Sequence, residues 1–375
     1  MEYWIFWMSA GFVIYTYVGY PILIWLMARV FPASDAQADT MKKLPTVTVV
    51  TPVYNEFNKV GRKLESLRQQ SYPAEKLRLI FISDGSTDGT ESFLSKQDDV
   101  TLICNPQRMG KPYSLNTAMQ QVETDIVVFT DARQPLNDNA VDQLVQRLQN
   151  PDVGAVSGEL VFWNPHSNTG QNVGLYWRYE KWLRKAESRY YSTAGATGAL
   201  YAIRKNDYQP LPDDTLLDDF EIPIQILRKG KRIVFEPDAQ VFDEVQEDVS
   251  RERTRKIRTL TGNYQSFQRN PWLFSPLRNP IFFQFISHKV FRLIVPYMLP
   301  IILFSSLAVD TVFYQAIFLL QLSFYLGGMA GLFYPVLQKN RIINFIVVFL
   351  DLNTAAVIAL KNYLSGQFSI KWERT

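Results

Sequence analysis

Apolar residues along this chain fall into three zones. Residues 4–28 form an uncharged run, residues 46 to about 245 alternate short apolar runs with amphipathic stretches, and roughly the last hundred residues return to long uncharged runs. About 20 consecutive apolar residues are enough to cross a bilayer. The pattern therefore predicts an integral membrane protein whose soluble domain lies between its membrane segments.

The central zone predicts a sheet with helices on both faces. Strands are predicted at 46–52, 77–85, 100–104 and 125–131, and helices at 56–70 and 111–122. Continuous apolar runs are typical of strands that are buried on both faces, and strand–helix alternation indicates an α/β fold with a mixed, mostly parallel sheet. Such sheets bind their ligands at the carboxyl ends of the strands.

The charges that flank the first apolar run predict its orientation. Glu2 precedes the run, whereas Arg29, Lys42 and Lys43 follow it. The positive-inside rule then places the central domain in the cytoplasm. The run is longer than the apolar part of a signal peptide and has no preceding Lys or Arg, so we expect a retained anchor. The expected location is the inner (plasma) membrane, with a multi-pass topology.

The last apolar segment, 342–364, is the least regular. Asp351 and Asn353 interrupt it, and polar groups at membrane depth are costly unless they face protein or a cavity. We expect a re-entrant or interfacial segment here, with a full span as the alternative. The predicted organisation is a membrane helix (1–30), a linker (31–45), a cytoplasmic α/β domain (46–270), an interfacial helical region (271–292), C-terminal membrane segments (293–365) and a tail (366–375).

Two charged segments have two interpretations each. Residues 173–190 predict a helix that either packs on the domain or lies at the membrane surface, which Trp and Tyr with Lys and Arg favour. Residues 251–258 carry five basic side chains, which form either a solvated, lipid-facing surface or a set of cations directed at phosphate.

Two kinds of metal site are excluded by composition. Cys104 is the only cysteine, and His166 and His288 are the only histidines. A zinc site built on Cys or on several His residues therefore cannot form. An intrachain disulfide is also impossible, which agrees with a reducing compartment.

Polar motifs follow the predicted strands. They are "TPVYNE" (51–56), "SDGSTDGT" (83–90), "NPQRMGKPYSLN" (105–116) and "TDAR" (130–133). Lys111 opens a predicted helix, and helix N-termini favour anions such as phosphate. The motif "SDGSTDGT" alone could be a tight turn with a helix cap. Asp131 ends a buried strand, and Arg133 stands where a metal site would more naturally place a second acid.

Three further motifs follow these. They are "STAGATGALYAIRK" (192–205), "LLDDFEIP" (216–223) and "RKIRTLTGNYQ" (255–265). Small residues before a strand let backbone approach a ligand closely. One acid at a helix start is explained as an N-cap, but Asp218 and Asp219 are adjacent, which leaves one acid without that explanation.

Together the motifs resemble the family 2 glycosyltransferases with a GT-A (Rossmann-like) fold, over about residues 46–265. The flanking membrane segments resemble its membrane-embedded branch of hyaluronan, chitin, cellulose and poly-N-acetylglucosamine synthases. The resemblance implies an inverting transfer of a sugar from a nucleotide-sugar donor, with UDP expected, to a surface polysaccharide or a lipid-linked saccharide. Membrane lipids are expected partners and nucleic acid is not.

The resemblance also implies the donor side of the site. By motif position, Tyr54 and Glu56 would contact the base and ribose, Asp84 the base, and Lys111 the nucleotide. Asp131 would be the first acid of the Asp-x-Asp motif, which binds Mg²⁺ or Mn²⁺ on the diphosphate. A divalent ion takes oxygen ligands and neutralises the leaving group as the bond breaks.

Arg133 departs from that motif. Asp131 would then hold the metal alone, with water and phosphate as the other ligands, or Arg133 would pair with phosphate or with Asp131. A third interpretation makes Asp131 and Arg133 a surface pair at the end of a strand.

The acceptor side is implied by the later motifs. Asp219 would be the general base, with Asp218 in the position of the neighbouring Glu, and Gly198 would lie by the donor sugar and acceptor. The last motif is similar to the Gln-x-x-Arg-Trp signature, which holds the diphosphate and the acceptor end. The residues carried over from it are Arg255 and Arg258 for the diphosphate, and Thr259 and Gln265 for the acceptor.

Thr259 replaces the Trp of that signature, which removes an aromatic platform for an acceptor sugar. This favours the alternative of a single-sugar transferase to a polyprenyl-linked acceptor. A second alternative is a catalytically inactive protein that binds a nucleotide sugar and serves as a scaffold in polysaccharide export. Its expected partners are export proteins or further copies of the same chain. A nucleotidyltransferase would need a Gly-rich loop with Lys or Arg after the first strand, which "TPVYNE" is not.

Overall fold

A seven-stranded sheet lies at the centre of the computed structural model, which describes residues 2–34, 44–163, 168–244 and 249–369. The strands are β1 (Val47–Val53), β2 (Leu77–Ser83), β3 (Val100–Cys104), β4 (Ile126–Thr130), β5 (Val153–Trp163), β6 (Leu200–Arg204) and β7 (Arg232–Glu244). Their order across the sheet is β3-β2-β1-β4-β6-β5-β7. The strands predicted from apolar runs are β1 to β4, each within two residues of its predicted bounds.

The sheet is mixed and mostly parallel. β1 pairs in parallel with β2 and β4, β2 with β3, and β5 with β7, whereas β6 is antiparallel to both β4 and β5. This arrangement confirms the predicted fold class. It also brings the carboxyl ends of β1, β2 and β4 to one edge of the sheet, where the polar motifs begin.

Long helices cover the sheet and extend from it. In the described ranges they are α1 (Glu2–Val30), α2 (Phe57–Arg68), α3 (Thr90–Leu94), α4 (Lys111–Gln120), α5 (Ala140–Leu148), α6 (Asn168–Tyr190), α7 (Asp218–Arg228), α8 (Val249–Arg269), α9 (Phe282–Leu307), α10 (Val312–Phe333) and α11 (Arg341–Leu364). Helices α1 and α9 each contain a π-helical turn, at Tyr15–Gly19 and Phe285–Val290.

Two apolar cores lie on opposite sides of the sheet, because successive side chains of a strand point to opposite faces. Val50 of β1 packs in one core with Leu115 of α4. Its neighbour Val49 packs in the other core with Leu64 of α2. Burial on both faces explains why these strands read as continuous apolar runs in the sequence.

Four helices of the described chain, α1, α9, α10 and α11, are long and apolar enough to cross a membrane. The sequence suggested an interfacial helical region up to residue 292 and a membrane segment from residue 293. In the structure, residue 293 lies inside a single continuous helix, α9, which runs from Phe282 to Leu307. The segment expected to be re-entrant or interfacial is the unbroken helix α11.

The two polar residues that interrupt the apolar run of α11, Asp351 and Asn353, lie against protein. Asp351 lies 3.2 Å from Arg253 and 4.0 Å from Lys256 of α8. Asn353 Nδ2 donates to the Phe349 carbonyl at 2.8 Å. Ion pairing with α8 therefore explains how this helix tolerates an acid. It also assigns two of the five basic residues of 251–258 to a structural contact.

Helix α6 lies between the α/β domain and the membrane helices. Its Leu183 and Ala186 belong to a buried cluster with Tyr20 and Ile24 of α1. His288 of α9 lies 2.9 Å from Glu180 and 2.7 Å from Glu187 of the same helix. Helix α6 is thus tied to two candidate spans at once.

Candidate active site

Lys111 joins three elements at the ligand-binding edge of the sheet. It is the first residue of α4 and follows Gly110, whose φ of +100° favours glycine. Its Nζ lies 3.0 Å from Asp131 Oδ1 at the end of β4 and 3.2 Å from Asp218 Oδ2 at the start of α7. Burial alone would lower the pKa of Lys111, but the acids Asp131, Asp218 and Asp219 raise it above its usual value.

Asp84 lies beneath the loop that leads to Lys111. It is fully buried at the end of β2. Its carboxylate accepts hydrogen bonds from the Met109 N–H at 2.7 Å, the Gly110 N–H at 3.0 Å and Asn105 Nδ2 at 3.2 Å. These bonds fix the loop and so the start of α4. The predicted contact of Asp84 with a base stays a prediction.

Tyr54 and Glu56 follow β1, as the motif positions require. The guanidinium of Arg108 stacks over the Tyr54 ring at 4.1 Å. Arg108 Nε and Nη2 are buried without a hydrogen-bond partner in the part of the chain that the structure describes. Glu56 lies 3.5 Å from Lys59 of α2. Sequence reasoning missed Arg108, although it lies in the quoted motif "NPQRMGKPYSLN".

Asp218 and Asp219 begin α7 but have different partners. Asp218 is buried, forms the ion pair with Lys111 and accepts from the Tyr201 hydroxyl at 3.3 Å. Asp219 forms no ion pair with any described residue. Burial and then the charge of Asp218 raise its pKa to about 6, against the lowering effect of Lys111 and Lys289. Asp219 is thus a carboxylate that can exchange a proton near neutral pH.

The loop before β6 packs directly on Asp219. The Ala196 N–H donates to the Asp219 carbonyl at 2.9 Å. A Cβ placed on Gly198 would lie only 2.8 Å from Asp219 Oδ2. Only glycine therefore lets this loop approach the carboxylate so closely, which gives a physical reason for the small residues of 192–199.

The four site residues predicted on helix α8 differ in their exposure and in their hydrogen-bond partners. Arg255 is half-buried, and Arg258 has a buried Nε without a partner in the described chain. Thr259 is exposed. Gln265 is buried, and its amide bonds the Leu216 N–H at 2.9 Å and the Asp214 carbonyl at 2.8 Å. Gln265 therefore supports the segment before Asp218 instead of presenting its amide to a ligand.

Arg133 pairs with Asp243 of β7, not with Asp131. The interpretation of Asp131 and Arg133 as a pair at the strand end is therefore wrong, because Asp131 pairs with Lys111. Asp243 also accepts from Gln134 Nε2 at 3.0 Å. The sequence carries no local signal for this partner, since 110 positions separate the two residues.

Asp131 is the one predicted metal ligand, so its surroundings decide whether a divalent ion fits. The described residues contain no cluster of three or more His, Cys, Asp or Glu side chains able to hold a metal. The Asp131 side chain is 37% exposed, and Lys111 binds one of its two oxygens. Mg²⁺ keeps several waters and binds through one or two carboxylates plus substrate phosphates. The site thus fits an ion that arrives with a diphosphate.

Comparisons with known proteins identify the family of this chain. Residues 48–210 match the family described as glycosyl transferase family 2. An N-acetylglucosaminyltransferase of Bradyrhizobium elkanii is 31% identical over 148 residues, which are 38% of this chain and 74% of the relative. An N-acetylglucosaminyltransferase of Rhizobium meliloti (strain 1021) is 27% identical over 261 residues, which are 62% of this chain.

Two less similar proteins are, by name, a sugar-polymer synthase and a mannosyltransferase. A poly-beta-1,6-N-acetyl-D-glucosamine synthase of Staphylococcus aureus (strain MSSA476) is 22% identical over 61% of this chain. The chain spans 59% of the length of the Rhizobium relative and 57% of this one. Mannosyltransferase PcManGT from Pyrobaculum calidifontis, solved with GDP-Man and Mn²⁺, shares the fold with a TM-score of 0.73 and 24% identity. The match covers 97% of this chain and 100% of that one.

Proposed function

Because the chain belongs to glycosyl transferase family 2, we propose that it transfers a sugar from a nucleotide-sugar donor to an acceptor at the membrane. The observation that carries the proposal is the junction of Lys111 with Asp131 and Asp218, beside the unpaired acid Asp219. In this proposal Lys111 would neutralise phosphate, Asp131 would hold a metal ion and Asp219 would act as the base.

The donor binds along the ends of β1, β2 and β4. Tyr54, with Arg108 stacked on it, and Glu56 face the nucleoside, and Asp84 holds the loop beneath it. Lys111 and the arginines of α8 neutralise the diphosphate. Asp131 would hold Mg²⁺ or Mn²⁺, which supplies further positive charge on the leaving group.

Asp219 is the general base. The acceptor hydroxyl gives its proton to the Asp219 carboxylate while its oxygen attacks the anomeric carbon. The bond from that carbon to the diphosphate breaks, and its electron pair leaves with the nucleoside diphosphate. Attack from the face opposite the leaving group inverts the anomeric centre. Asp218 is the weaker candidate because Lys111 and Tyr201 already engage it.

The donor is a UDP-sugar, and N-acetylglucosamine is the first sugar to test because the names of three relatives contain it. The acceptor is a growing surface polysaccharide or a lipid-linked saccharide at the cytoplasmic face. Gly198 and Thr259 lie on the acceptor side. A single transfer to a polyprenyl-linked acceptor is the second candidate, since the exposed Thr259 provides no stacking platform.

The product's anomeric configuration tests this proposal. The protein in lipid nanodiscs is supplied with UDP-, GDP- and dTDP-sugars in turn, with Mn²⁺ and native membrane lipid as the source of acceptor. An α-linked donor should give a β-linked product by NMR. A product that retains the donor's configuration would contradict inversion, and failure with every donor would favour the inactive scaffold.

A further inference from the structure

Lys289 is a charged residue inside a candidate membrane helix. It lies in the π-helical turn Phe285–Val290 of α9. Such turns occur frequently at functional sites, and an ionisable residue in a membrane helix indicates a function unless a structural role explains it. Two structural roles are available to a lysine here. Its side chain can extend along the helix to the bilayer surface, or a neighbouring acid can neutralise it.

The first role does not fit, because the side chain of Lys289 lies against the protein core. Its Nζ lies over the ring of Phe220, 5.7 Å from the ring centroid. Phe220 is buried in the same apolar core as Phe285 of the π-helical turn. A lysine that extended to the lipid–water boundary would not make this contact. Lys289 is partly buried, and a cation–π contact at this distance is weaker than the hydration that an ammonium loses on burial.

The second role does not fit either, because the acids around the neighbouring His288 have other partners. Glu180 lies 2.8 Å from Arg292 and 2.9 Å from His288, and Glu187 Oε1 lies 2.7 Å from His288. Glu187 Oε2 is buried without a hydrogen-bond partner in the described chain, but Lys289 forms no ion pair with it. Within the ranges that the structure describes, Lys289 forms no hydrogen bond and no ion pair at all. Its charge therefore has no fixed counter-ion there.

This cation lies beside the proposed base. Phe220 directly follows Asp219 in α7, so the contact with its ring brings Lys289 next to that acid. Gly198, which is proposed for the acceptor side, packs on the same acid. Lys289 is not paired with Asp219, which leaves the carboxylate able to take a proton. Lys111, the cation proposed for the donor, contacts the preceding acid instead.

We propose that Lys289 binds a phosphate group of a lipid-linked acceptor. The acceptor class rests on the proposed function, whereas the position of the cation rests on its contact with Phe220. The phosphate stays bonded to the lipid and to the sugar, and a hydroxyl of that sugar reaches Asp219. Because α9 is a candidate membrane helix, Lys289 is placed where the phosphate of a membrane lipid lies. Only a short saccharide fits between a phosphate on Lys289 and the neighbouring base, so a long polysaccharide is the poorer acceptor.

Binding of farnesyl phosphate and of farnesol, its neutral alcohol, tests the site. The full chain in phosphatidylcholine nanodiscs is titrated with each, and the heat measured with empty nanodiscs is subtracted. Wild-type protein should bind farnesyl phosphate about tenfold or more tightly than farnesol, the gain expected for a charge-assisted hydrogen bond. Lys289→Gln should bind the two alike. Lys361→Gln is the matched control, because Lys361 is an exposed lysine of another candidate membrane helix, α11.

Two further variants separate charge from packing. Lys289→Arg keeps the charge and should keep the preference for farnesyl phosphate. Lys289→Met keeps only the apolar part of the side chain and should lose the preference. Thermal melting identifies any variant that unfolds, and the comparison of the two ligands on wild-type protein tests the site without any variant.

Three results would overturn the inference. Wild-type protein could bind farnesyl phosphate and farnesol equally, or Lys289→Gln could keep the preference for the phosphate. In the third, nanodiscs of phosphatidylglycerol would abolish the binding of farnesyl phosphate, which would make the site a general contact with anionic lipid. Turnover of a nucleotide sugar by the same preparation would then leave the proposed function standing. A preparation that prefers farnesyl phosphate but turns over no donor would instead contradict the proposed function alone.

Discussion

Asp218 and Asp219 are adjacent in the chain, yet only one of them is free to accept a proton. Lys111 and Tyr201 hold Asp218. Burial of the Asp219 carboxyl and the negative charge of Asp218 raise the pKa of Asp219 to about 6. This difference in partners between two identical side chains is the reason for proposing Asp219, and not Asp218, as the base.

The pKa of Asp219 predicts the pH dependence of the reaction. The base must be deprotonated, so the rate should rise with pH, reach half its maximum near pH 6 and level off above it. Asp218→Asn removes the like charge that raises this pKa, and should move the rise to lower pH. Single-turnover rates between pH 5 and 8 measure the shift. A rise that moves upward, or does not move, would contradict this electrostatic account.

Gly198 predicts a steric effect on the same carboxylate. In Gly198→Ala the new Cβ would lie 2.8 Å from Asp219 Oδ2, so the loop or the acid must move. A displacement of about 1 Å can cost a hundredfold in rate, and we expect a loss of that order with the fold intact. Gly61→Ala is the control, because its Cβ would meet only Phe93 at an ordinary 3.7 Å. Equal rates for both variants would exclude the steric role of Gly198.

The sequence selected residues that the structure brings together, while their roles stay predictions. Lys111, Asp131, Asp218 and Gly198 were all identified from motifs, and the structure brings them around Asp219. Asp243 could not be predicted, because its contact with Arg133 depends on the bridge between Leu136 and Val241 of β7, which are far apart in the sequence. Gln265 was placed with the acceptor because its motif position does not reveal that its amide is used internally.

At the scale of elements, the buried lysine Lys63 holds the end of β4 in place through hydrogen bonds. Lys63 of α2 is fully buried, and its Nζ donates to Thr130 Oγ1 at 2.6 Å and to the Gln134 carbonyl at 2.7 Å. These bonds fix both sides of Asp131. Burial lowers the pKa of Lys63 well below its usual value, against the opposing effect of Asp131.

Lys63→Met should therefore loosen the segment that carries Asp131. The change leaves the Gln134 carbonyl without this donor, and an unsatisfied buried group costs about 1–3 kcal/mol. Denaturant unfolding should show a loss of that size, together with weaker nucleotide binding. Lys96→Met, at an exposed position after α3, controls for the loss of a lysine. Unaltered stability and binding in Lys63→Met would refute the supporting role.

The structure has one helix where the sequence suggested an interfacial segment followed by a span, whereas strands β1 to β4 match their predicted bounds to within two residues. The apolar runs of β1 to β4 are short and end at polar motifs, so their limits are visible in the sequence. Helix α9 instead continues through His288 and Lys289, polar residues that suggested an interfacial helix. His288 is tolerated there because it bonds Glu180 and Glu187 of α6. Such long-range partners cannot be read from local hydropathy.

At the scale of the whole molecule, one buried hydrogen-bonded network joins the sheet domain to two of the candidate membrane helices. His288 of α9 bridges Glu180 and Glu187, and the Tyr20 hydroxyl of α1 donates to Glu187 at 2.5 Å. Arg184 continues the network from Glu180, at 3.7 Å, to Thr197 in the loop on Asp219, at 2.8 Å. Two candidate membrane helices are thus connected through side-chain contacts to the loop that packs on Asp219.

His288→Ala tests this junction. The change removes the imidazole that bonds both carboxylates, while Glu180 keeps Arg292 and Glu187 keeps the Tyr20 hydroxyl. The expected cost is that of two lost buried hydrogen bonds, about 1–3 kcal/mol each. Thermal unfolding in nanodiscs should show a large loss of stability. Arg278→Gln, an exposed change shortly before α9, should leave stability unaltered. Equal melting temperatures for the two variants would show that the network does not hold the domain.

The most direct test of the account is nucleotide release by Asp219→Asn in nanodiscs with Mn²⁺, the active donor and native lipid. Asparagine keeps the shape of the side chain but cannot take the acceptor's proton. Asp213→Asn, an exposed acid in the preceding loop, is the matched control. The account predicts a rate loss of about 10²–10⁴-fold for Asp219→Asn, with donor binding retained and the control fully active. Full activity in Asp219→Asn would contradict the assignment of the base and with it the central claim.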